Sequence, residues 1–413
     1  MDLPVNHNEP LVMHIDLNSC FASVEQQANR LLRGRPLVVA AYKAPNGCVL
    51  SPSIEAKQLG IKVGMSVRDA KLICKDIVVL TPDVQKVFAV HSRLMQVFRL
   101  FTDDVVPKSI DEAALNFDRC QAVIKRPLAE IAQEIKYRLR QDVGDWLRCN
   151  IGLGTNRFLA KVGAGLHKPD GFDIIDHRNL KDIYASLVLV DLPGINTRFE
   201  ARLNTCGIFT PLEFFGASWD TLKRQVFHSS EGHRWHLRLR GWEVDAVNFS
   251  RKSFGHSYAL PKPTADPKDL SRLIMKLSEK VGRRLRRAVQ LAYGIHVACL
   301  YTDHSHWHTG CRHHQPMYAT QEIYLQAQRL LNAQPTRKPV ANLAISCFGL
   351  GRARPEQVAL FDTDRAKNKR LADAADDLND RYGEFMVTPA IMMAMEQEAV
   401  NRISFGNIAN LMY

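Results

Sequence analysis

A multidomain α+β architecture is what this sequence predicts, and three observations carry that reading. The chain has 413 residues, more than one ordinary core organises, so about two to four compact units are expected. Its first 175 residues alternate short strand-like runs with helical patterns, as mixed layers of sheet and helix require. Its excess positive charge is confined to one later segment, which suggests a separate unit.

The elements follow in order. Leu11-Val12-Met13-His14-Ile15 is an apolar run that reads as a buried strand and ends at Asp16. Leu37 to Ala40 and Ile77 to Leu80 read the same way, and Val87 to Phe101 has helical periodicity. Ser109-Ile110-Asp111-Glu112-Ala113 is a further short strand with two adjacent carboxylates at its edge. From Asp173 to Leu187 the chain becomes polar and mostly helical. Trp242-Glu243-Val244-Asp245 and Leu260-Pro261-Lys262-Pro263 then mark a boundary. Beyond it, Leu270, Leu273, Ile274, Leu277, Val281 and Leu285 share one helical face, and Arg283, Arg284, Arg286 and Arg287 decorate the same helix. Ile295 to Leu300 and Leu343 to Phe348 read as strands. His304, His306, His308, Cys311, His313 and His314 crowd together without the pair-and-pair spacing of structural zinc, and a hairpin loop is expected there.

Charge separates the segments further. Residues 249–354 hold 17 Lys and Arg against 5 Asp and Glu, while the rest of the chain balances at 38 of each. A solubilising surface mixes its signs, whereas a polyanion-binding surface segregates them, so this segment is expected to meet nucleic acid. Residues 355–413 carry 6 basic and 10 acidic side chains and should not face DNA. No run of about eighteen apolar residues suggests a membrane span. No basic-then-apolar leader is visible at the first residues, and nine scattered cysteines contain no CxxC pair. A cytoplasmic, reduced protein is expected. Gly152-Leu153-Gly154 lacks the third glycine of a dinucleotide fingerprint.

Adjacent carboxylates such as Asp111 and Glu112 repel one another unless a cation lies between them. A third carboxylate from a neighbouring strand, such as Asp16, would complete an oxygen-rich site for one or two Mg²⁺ ions. His14-Ile15-Asp16-Leu17-Asn18-Ser19-Cys20-Phe21-Ala22-Ser23-Val24-Glu25 resembles the opening motif of the Y-family (translesion) DNA polymerases. Ser109 to Ala113 resembles their second catalytic motif. Gly60 to Met65, Ile151 to Gly154, Phe158 to Lys161, His167-Lys168-Pro169-Asp170-Gly171 and Leu192-Pro193-Gly194-Ile195 continue the resemblance in family order, over roughly residues 10–355.

The resemblance implies a right-hand polymerase with a ferredoxin-like palm (1–30 and 76–175), small fingers (31–75) and a helical thumb with a helix-hairpin-helix (176–241). An α/β little finger (242–354) and a tail (355–413) would follow. It implies template-directed nucleotidyl transfer from a dNTP to a primer 3′-hydroxyl, error-prone and tied to DNA repair and the SOS response, by a chain expected to be monomeric. Two Mg²⁺ ions would be held by Asp16, Asp111, Glu112 and the Leu17 carbonyl. Phe21 takes the place of the steric gate, and Ser51, Lys57 and Lys168 the places of triphosphate contacts. Gly194 and Ile195 belong to a hairpin that would grip DNA phosphates through backbone N–H groups. Gln357-Val358-Ala359-Leu360-Phe361 resembles a sliding-clamp peptide, anchored by Gln357, Leu360 and Phe361.

Some positions depart from the usual pattern. Ile54 stands where Tyr is common, Asn18 where a second Asp is common, and Cys20 where an aromatic is common. Asn18, Asn46 to Val49 and Glu55 to Lys57 look more like the catalytic subunit of bacterial polymerase V. Lys168-Pro169 and the thumb look like polymerase IV. A non-catalytic clamp-binding scaffold is the first alternative, but such relatives lose the three carboxylates that this chain keeps. A nucleotidyl cyclase, whose fold resembles the palm, has no use for the hairpin, the basic segment or the clamp-like peptide.

Overall fold

Two units divide between Asn248 and Phe249 in the computed structural model, which describes residues 4–246, 251–352, 363–393 and 395. The first opens with β1 (Val12–Leu17) and α1 (Cys20–Ala28). β2 (Leu37–Ala40), β3 (Val49–Pro52), α2 (Ile54–Gln58), α3 (Val67–Ile73) and β4 (Val78–Leu80) make a small insertion. The chain then returns through α4 (Val84–Phe98), β5 (Val105–Pro107), β6 (Glu112–Asn116), α5 (Leu128–Arg138), β7 (Cys149–Gly154), α6 (Arg157–Leu166) and β8 (Phe172–Ile175).

The main sheet has the order β5-β6-β1-β7-β8, antiparallel except for the β7–β8 pair. Met13, Ile15, Leu115, Ile151 and Leu153 project from it into a core shared with Leu94 and Phe98 of α4 and Ile131 and Ile135 of α5. A central strand buried on both faces explains why β1 reads as an apolar run. The insertion has its own sheet, β3-β2-β4, and its own core of Val38, Val49, Ala56, Ile61, Ala70 and Ile77. Its third strand runs to Leu80, past the boundary expected at residue 75. That strand pairs with β2 in parallel, so a distant return segment completes the small sheet.

One close approach seats α6 on the main sheet. A Cβ at Gly152 would lie 2.0 Å from the Ala160 carbonyl oxygen and 2.2 Å from the Ala164 amide nitrogen. Only hydrogen fits there, so the helix backbone rests directly on β7. This explains Gly152-Leu153-Gly154 as a packing device.

α7 (Leu180–Ser186), α8 (Thr197–Thr205), α9 (Pro211–Gly216), α10 (Trp219–Thr221) and α11 (Glu231–Leu239) complete the first unit around Tyr184, Leu203, Phe214, Leu222 and Trp235. Asn156 caps α6 through the Leu159 amide and also donates to the Arg238 and Trp242 carbonyls, tying this helical region to α6.

The second unit is a four-stranded antiparallel sheet of order β11-β10-β12-β9, from β9 (Ser253–Thr264), β10 (Gln290–Tyr301), β11 (His306–Met317) and β12 (Val340–Arg352). α12 (Pro267–Arg287) and α13 (Thr320–Asn332) cover one face, where Leu273, Ile274, Leu277 and Val281 meet Ile295, Val297, Leu343 and Ile345. The histidine-rich stretch expected in a loop is strand β11, with only His304 in the turn before it.

α14 (Thr363–Tyr382) supplies partners to the arginine edge of α12. Asp376 accepts two hydrogen bonds from Arg286, at 2.6 and 2.9 Å, and Arg286 also reaches the Thr320 hydroxyl at 3.2 Å. Arg283 pairs with Asp380 and lies 3.7 Å from Glu384, and Arg287 shares Asp380. Arg272 and Lys276 donate to backbone carbonyls of Ile391, Met393 and Met395. The side chains of Arg283 and Arg286 are only 7% and 4% exposed. Arg284 donates to the Gly255 carbonyl of β9. The positive stripe, which the sequence suggested as a DNA surface, therefore meets carboxylates of its own chain.

Removing one partner of a buried ion pair leaves an uncompensated charge, at a cost of about 3–5 kcal/mol. Asp376→Ala should therefore lower the thermal midpoint of the full chain, and Arg286→Met combined with Asp376→Leu should restore most of the loss. A silent Asp376→Ala would show that α14 contributes nothing to holding the unit. Gly152→Ala should destabilise the first unit by at least about 1–3 kcal/mol, the usual penalty for overpacking. An unchanged midpoint would contradict the backbone contact between β7 and α6.

Candidate active site

Pairing of β1 with β6 sets Asp16 opposite Glu112, and the Leu17 amide donates to the Asp111 carbonyl at 2.9 Å. Three carboxylates from distant parts of the sequence thus meet at one end of two neighbouring strands. Their surroundings differ sharply. Burial pushes the Asp111 carboxyl up to about 6, against the pull of the Ser109 hydroxyl that donates to it, and the charges of Asp16 and Glu112 push the same way as burial. Burial acts on Glu112 too, but hydrogen bonds from His14 and Lys161 prevail and hold its carboxyl at about 2.

Glu112 has contacts on both oxygens. His14 Nε2 lies 3.0 Å from Oε2, and Lys161 Nζ lies 2.9 Å from Oε1 and 2.8 Å from Oε2. His14 comes from β1 and is almost fully buried, whereas Lys161 comes from α6 and is 41% exposed. Asp16 receives Lys168 Nζ at 2.5 Å. Two lysines, one on α6 and one on the loop after it, therefore neutralise two of the three carboxylates, while among the described residues Asp111 meets a hydroxyl and no lysine or arginine.

The Lys168 loop is held by two asparagines. Asn18 accepts from the Asp170 amide at 2.8 Å and donates to Asn150 Oδ1 at 2.9 Å. Asn150 in turn donates to the His167 carbonyl at 3.0 Å. Asn18 is thus a neutral brace for the loop that carries Lys168, which explains how it stands in place of a carboxylate.

Phe21 lies in the first turn of α1, 1% exposed and within the core of the main sheet. Ser51, on β3, is buried and lies 3.4 Å from the Ala22 amide. Lys57, on α2, has its ammonium pKa lowered by desolvation and then by the charge of Lys168, with Asp16 opposing. The insertion and the main sheet thus bring Lys57 and Lys168 within electrostatic reach of each other beside Asp16. His14, Lys161, Ser109 and Asn150 were not singled out from the sequence. His14 and Lys161 lie inside the quoted motifs, but only strand register and helix seating direct them at Glu112.

Gly194 adopts φ +95°, a conformation that favours glycine, in the turn before α8. Ile195 is buried beneath it, and Asn196 caps α8 through the Arg198 and Phe199 amides. In the second unit, the sheet face away from α12 carries Ser257, Ala344, Ala298 and His308 in one cross-strand row, and Gly255, Ser346, His296 and Gly310 in the next. Small neutral side chains thus fill its middle, with His306, His308, Arg312 and His314 exposed along edge strand β11. The clamp-like residues Gln357, Leu360 and Phe361 lie outside the described residues.

Among the described residues, no three His, Cys, Asp or Glu side chains are grouped so that they could already hold a metal ion. The donor set is nevertheless suited to a hard divalent cation, because it is all oxygen and, among the described residues, leaves Asp111 without a lysine or arginine partner. Release of Asp16 and Glu112 from their lysines is what such an ion would require.

The impB/mucB/samB family model matches residues 15–165, and that of the family's C-terminal domain matches residues 251–360. The DNA polymerase IV of Pelotomaculum thermopropionicum is 32% identical over 92% of this chain and 95% of its own length. That of Moorella thermoacetica is 33% identical over 92% and 96%. Among solved structures, a Y-family DNA polymerase chimera of Dbh and Dpo4 superposes with a TM-score of 0.72 at 24% identity, covering 83% of this chain and 99% of that one. An insertion ternary complex of Dbh DNA polymerase gives 0.57 at 23%, over 82% and 98%. With both halves of the chain matched and the three carboxylates assembled at the β1–β6 edge, the protein belongs to the impB/mucB/samB family and is a DNA-directed DNA polymerase of the Y family, similar to polymerase IV.

Proposed function

We propose that this polymerase extends primers across damaged templates by two-metal nucleotidyl transfer, with Asp16, Asp111, Glu112 and the Leu17 carbonyl as ligands. The observation that carries the reading is the meeting of three carboxylates of which one, the half-buried Asp111, pairs with no lysine or arginine among the described residues. Two bound Mg²⁺ ions would lower the pKa of the attacking hydroxyl and neutralise the leaving pyrophosphate. Asp16, Asp111 and Glu112 would hold them. Desolvation and then the charge of Lys168 lower the Lys57 ammonium, which places two cations where one polyphosphate would meet both, and Ser51 adds a hydroxyl. Phe21, five residues after Asp16, would close the nucleotide site beneath the sugar and exclude a 2′-hydroxyl.

Grip on the duplex belongs in this reading to the Gly194-Ile195 turn and to the open face of the second unit's sheet. Arg312 and the histidines of β11 would take phosphates there, and the small residues would let the backbone approach. The pairing of Arg283, Arg286 and Arg287 with α14 supports placing the grip on that sheet face and not on α12. The 357–361 peptide would dock the chain, as a monomer in the cytoplasm, on a sliding clamp during the SOS response.

Primer extension with Mg²⁺ and single dNTPs on intact and abasic templates tests the central reading. The wild type should extend both, Asp111→Ala/Glu112→Ala neither, and Phe21→Ala should add ribonucleotides at least about tenfold more readily, since about 1.4 kcal/mol of lost exclusion suffices. Equal extension by the carboxylate double variant would refute the site, and an unchanged sugar preference would refute the gate. A labelled 355–363 peptide should bind a bacterial clamp in fluorescence polarisation, and no binding at high micromolar would remove that partner.

A further inference from the structure

Lys161 is the side chain at the site that neither the donor set nor the nucleotide contacts absorb. Its ammonium touches both oxygens of Glu112, at 2.9 and 2.8 Å, while His14 holds Oε2 from the buried side. Both oxygens of Glu112 are thereby occupied, and Asp16 is likewise turned to Lys168. This accounts for three carboxylates lying at one strand edge without forming a ready metal site. The two partners of Glu112 differ in kind. His14 sits on β1 at 2% exposure and cannot leave without unpacking the sheet, whereas Lys161 is 41% exposed on a flexible four-carbon stem.

We propose that Lys161 is a positioning residue that acts as a removable counter-charge. It keeps the Glu112 carboxylate compensated and oriented until DNA arrives, and so couples divalent-metal occupancy to primer binding. The inference rests on the two-metal reading above. An ammonium within hydrogen-bond reach of Glu112 opposes a divalent ion on the same oxygens. A primer terminus brings phosphates that attract the same ammonium away. Glu112 then exchanges one cation for another and is never left as an uncompensated buried charge, a state that is costly in a protein interior. His14 keeps the carboxylate aimed throughout the exchange.

The test measures Mn²⁺ binding by the intact protein, from the paramagnetic resonance signal of the unbound ion, with and without a dideoxy-terminated primer-template. Without DNA, Lys161→Met should bind Mn²⁺ about tenfold more tightly, the order expected for removing a unit charge a few ångströms from a divalent site open to water. Lys161→Arg, whose planar fork suits a carboxylate better, should bind it more weakly than the wild type. Primer-template should raise affinity in the wild type and do so less in Lys161→Met. A merely structural role would lower the thermal midpoint of both variants without moving their affinities in opposite directions. Equal affinities in all three proteins, or an equal gain from DNA in wild type and Lys161→Met, would overturn the proposal. Wild-type binding that survives in Asp111→Asn/Glu112→Gln would instead overturn the metal assignment itself, so the two failures are distinguishable.

Discussion

Compensation of negative charge at the β1–β6 edge is the constraint on which the first unit depends. Asp16, Asp111 and Glu112 are brought together by strand register alone, and like charges at such separations resist being buried together. The fold answers with cations carried by one helix and the loop after it. Lys161 and Lys168 reach Glu112 and Asp16 because α6 lies flat on β7, and α6 lies flat because Gly152 offers no side chain. The Asn18–Asn150 brace then fixes the loop that carries Lys168. Site and scaffold are thus one arrangement, in which the helix that neutralises the carboxylates is also a principal cover of the sheet that delivers them.

The second unit handles charge of the opposite sign in a comparable way. α12 buries its apolar face on the sheet and turns a basic stripe outward, and Asp376, Asp380, Glu384, the ring of Phe385 and the carbonyls of Ile391, Met393 and Met395 meet that stripe. Pairs as buried as Arg286–Asp376 are scarcely screened by salt, so this contact is part of the unit's structure. The electrostatic excess remaining for a polyanion lies at residues such as Lys252, Lys262 and Arg312. Positive charge in a segment and positive charge on a surface are therefore different quantities here.

How much was legible beforehand differs by scale. Asp16, Asp111, Glu112 and Lys168 could be named from the sequence because each sits in a short motif. The apolar run before Asp16 and the short run around Asp111 fitted β1 and β6. His14 and Lys161 lie in the same motifs and were passed over, since a buried-strand His and a helix Lys look ordinary until register and packing aim both at Glu112. The histidines of β11 were expected in a loop, because a polar strand that exposes one face lacks the apolar signal by which strands are recognised.

The linear sequence by itself determined which groups were available: three carboxylates at the ends of apolar runs, a lysine before a proline, a segregated block of arginines and an acidic end. These are local chemistry, and neighbours in sequence suffice to display them. Only the tertiary structure decided how they are paired. It placed Lys161 on Glu112, Lys168 on Asp16 and α14 on the arginines of α12, separations of 49, 152 and 90 residues or more in the chain. Coulomb forces act through space and not along the chain, so which charge is left for a ligand is settled only when the fold has chosen every other partner.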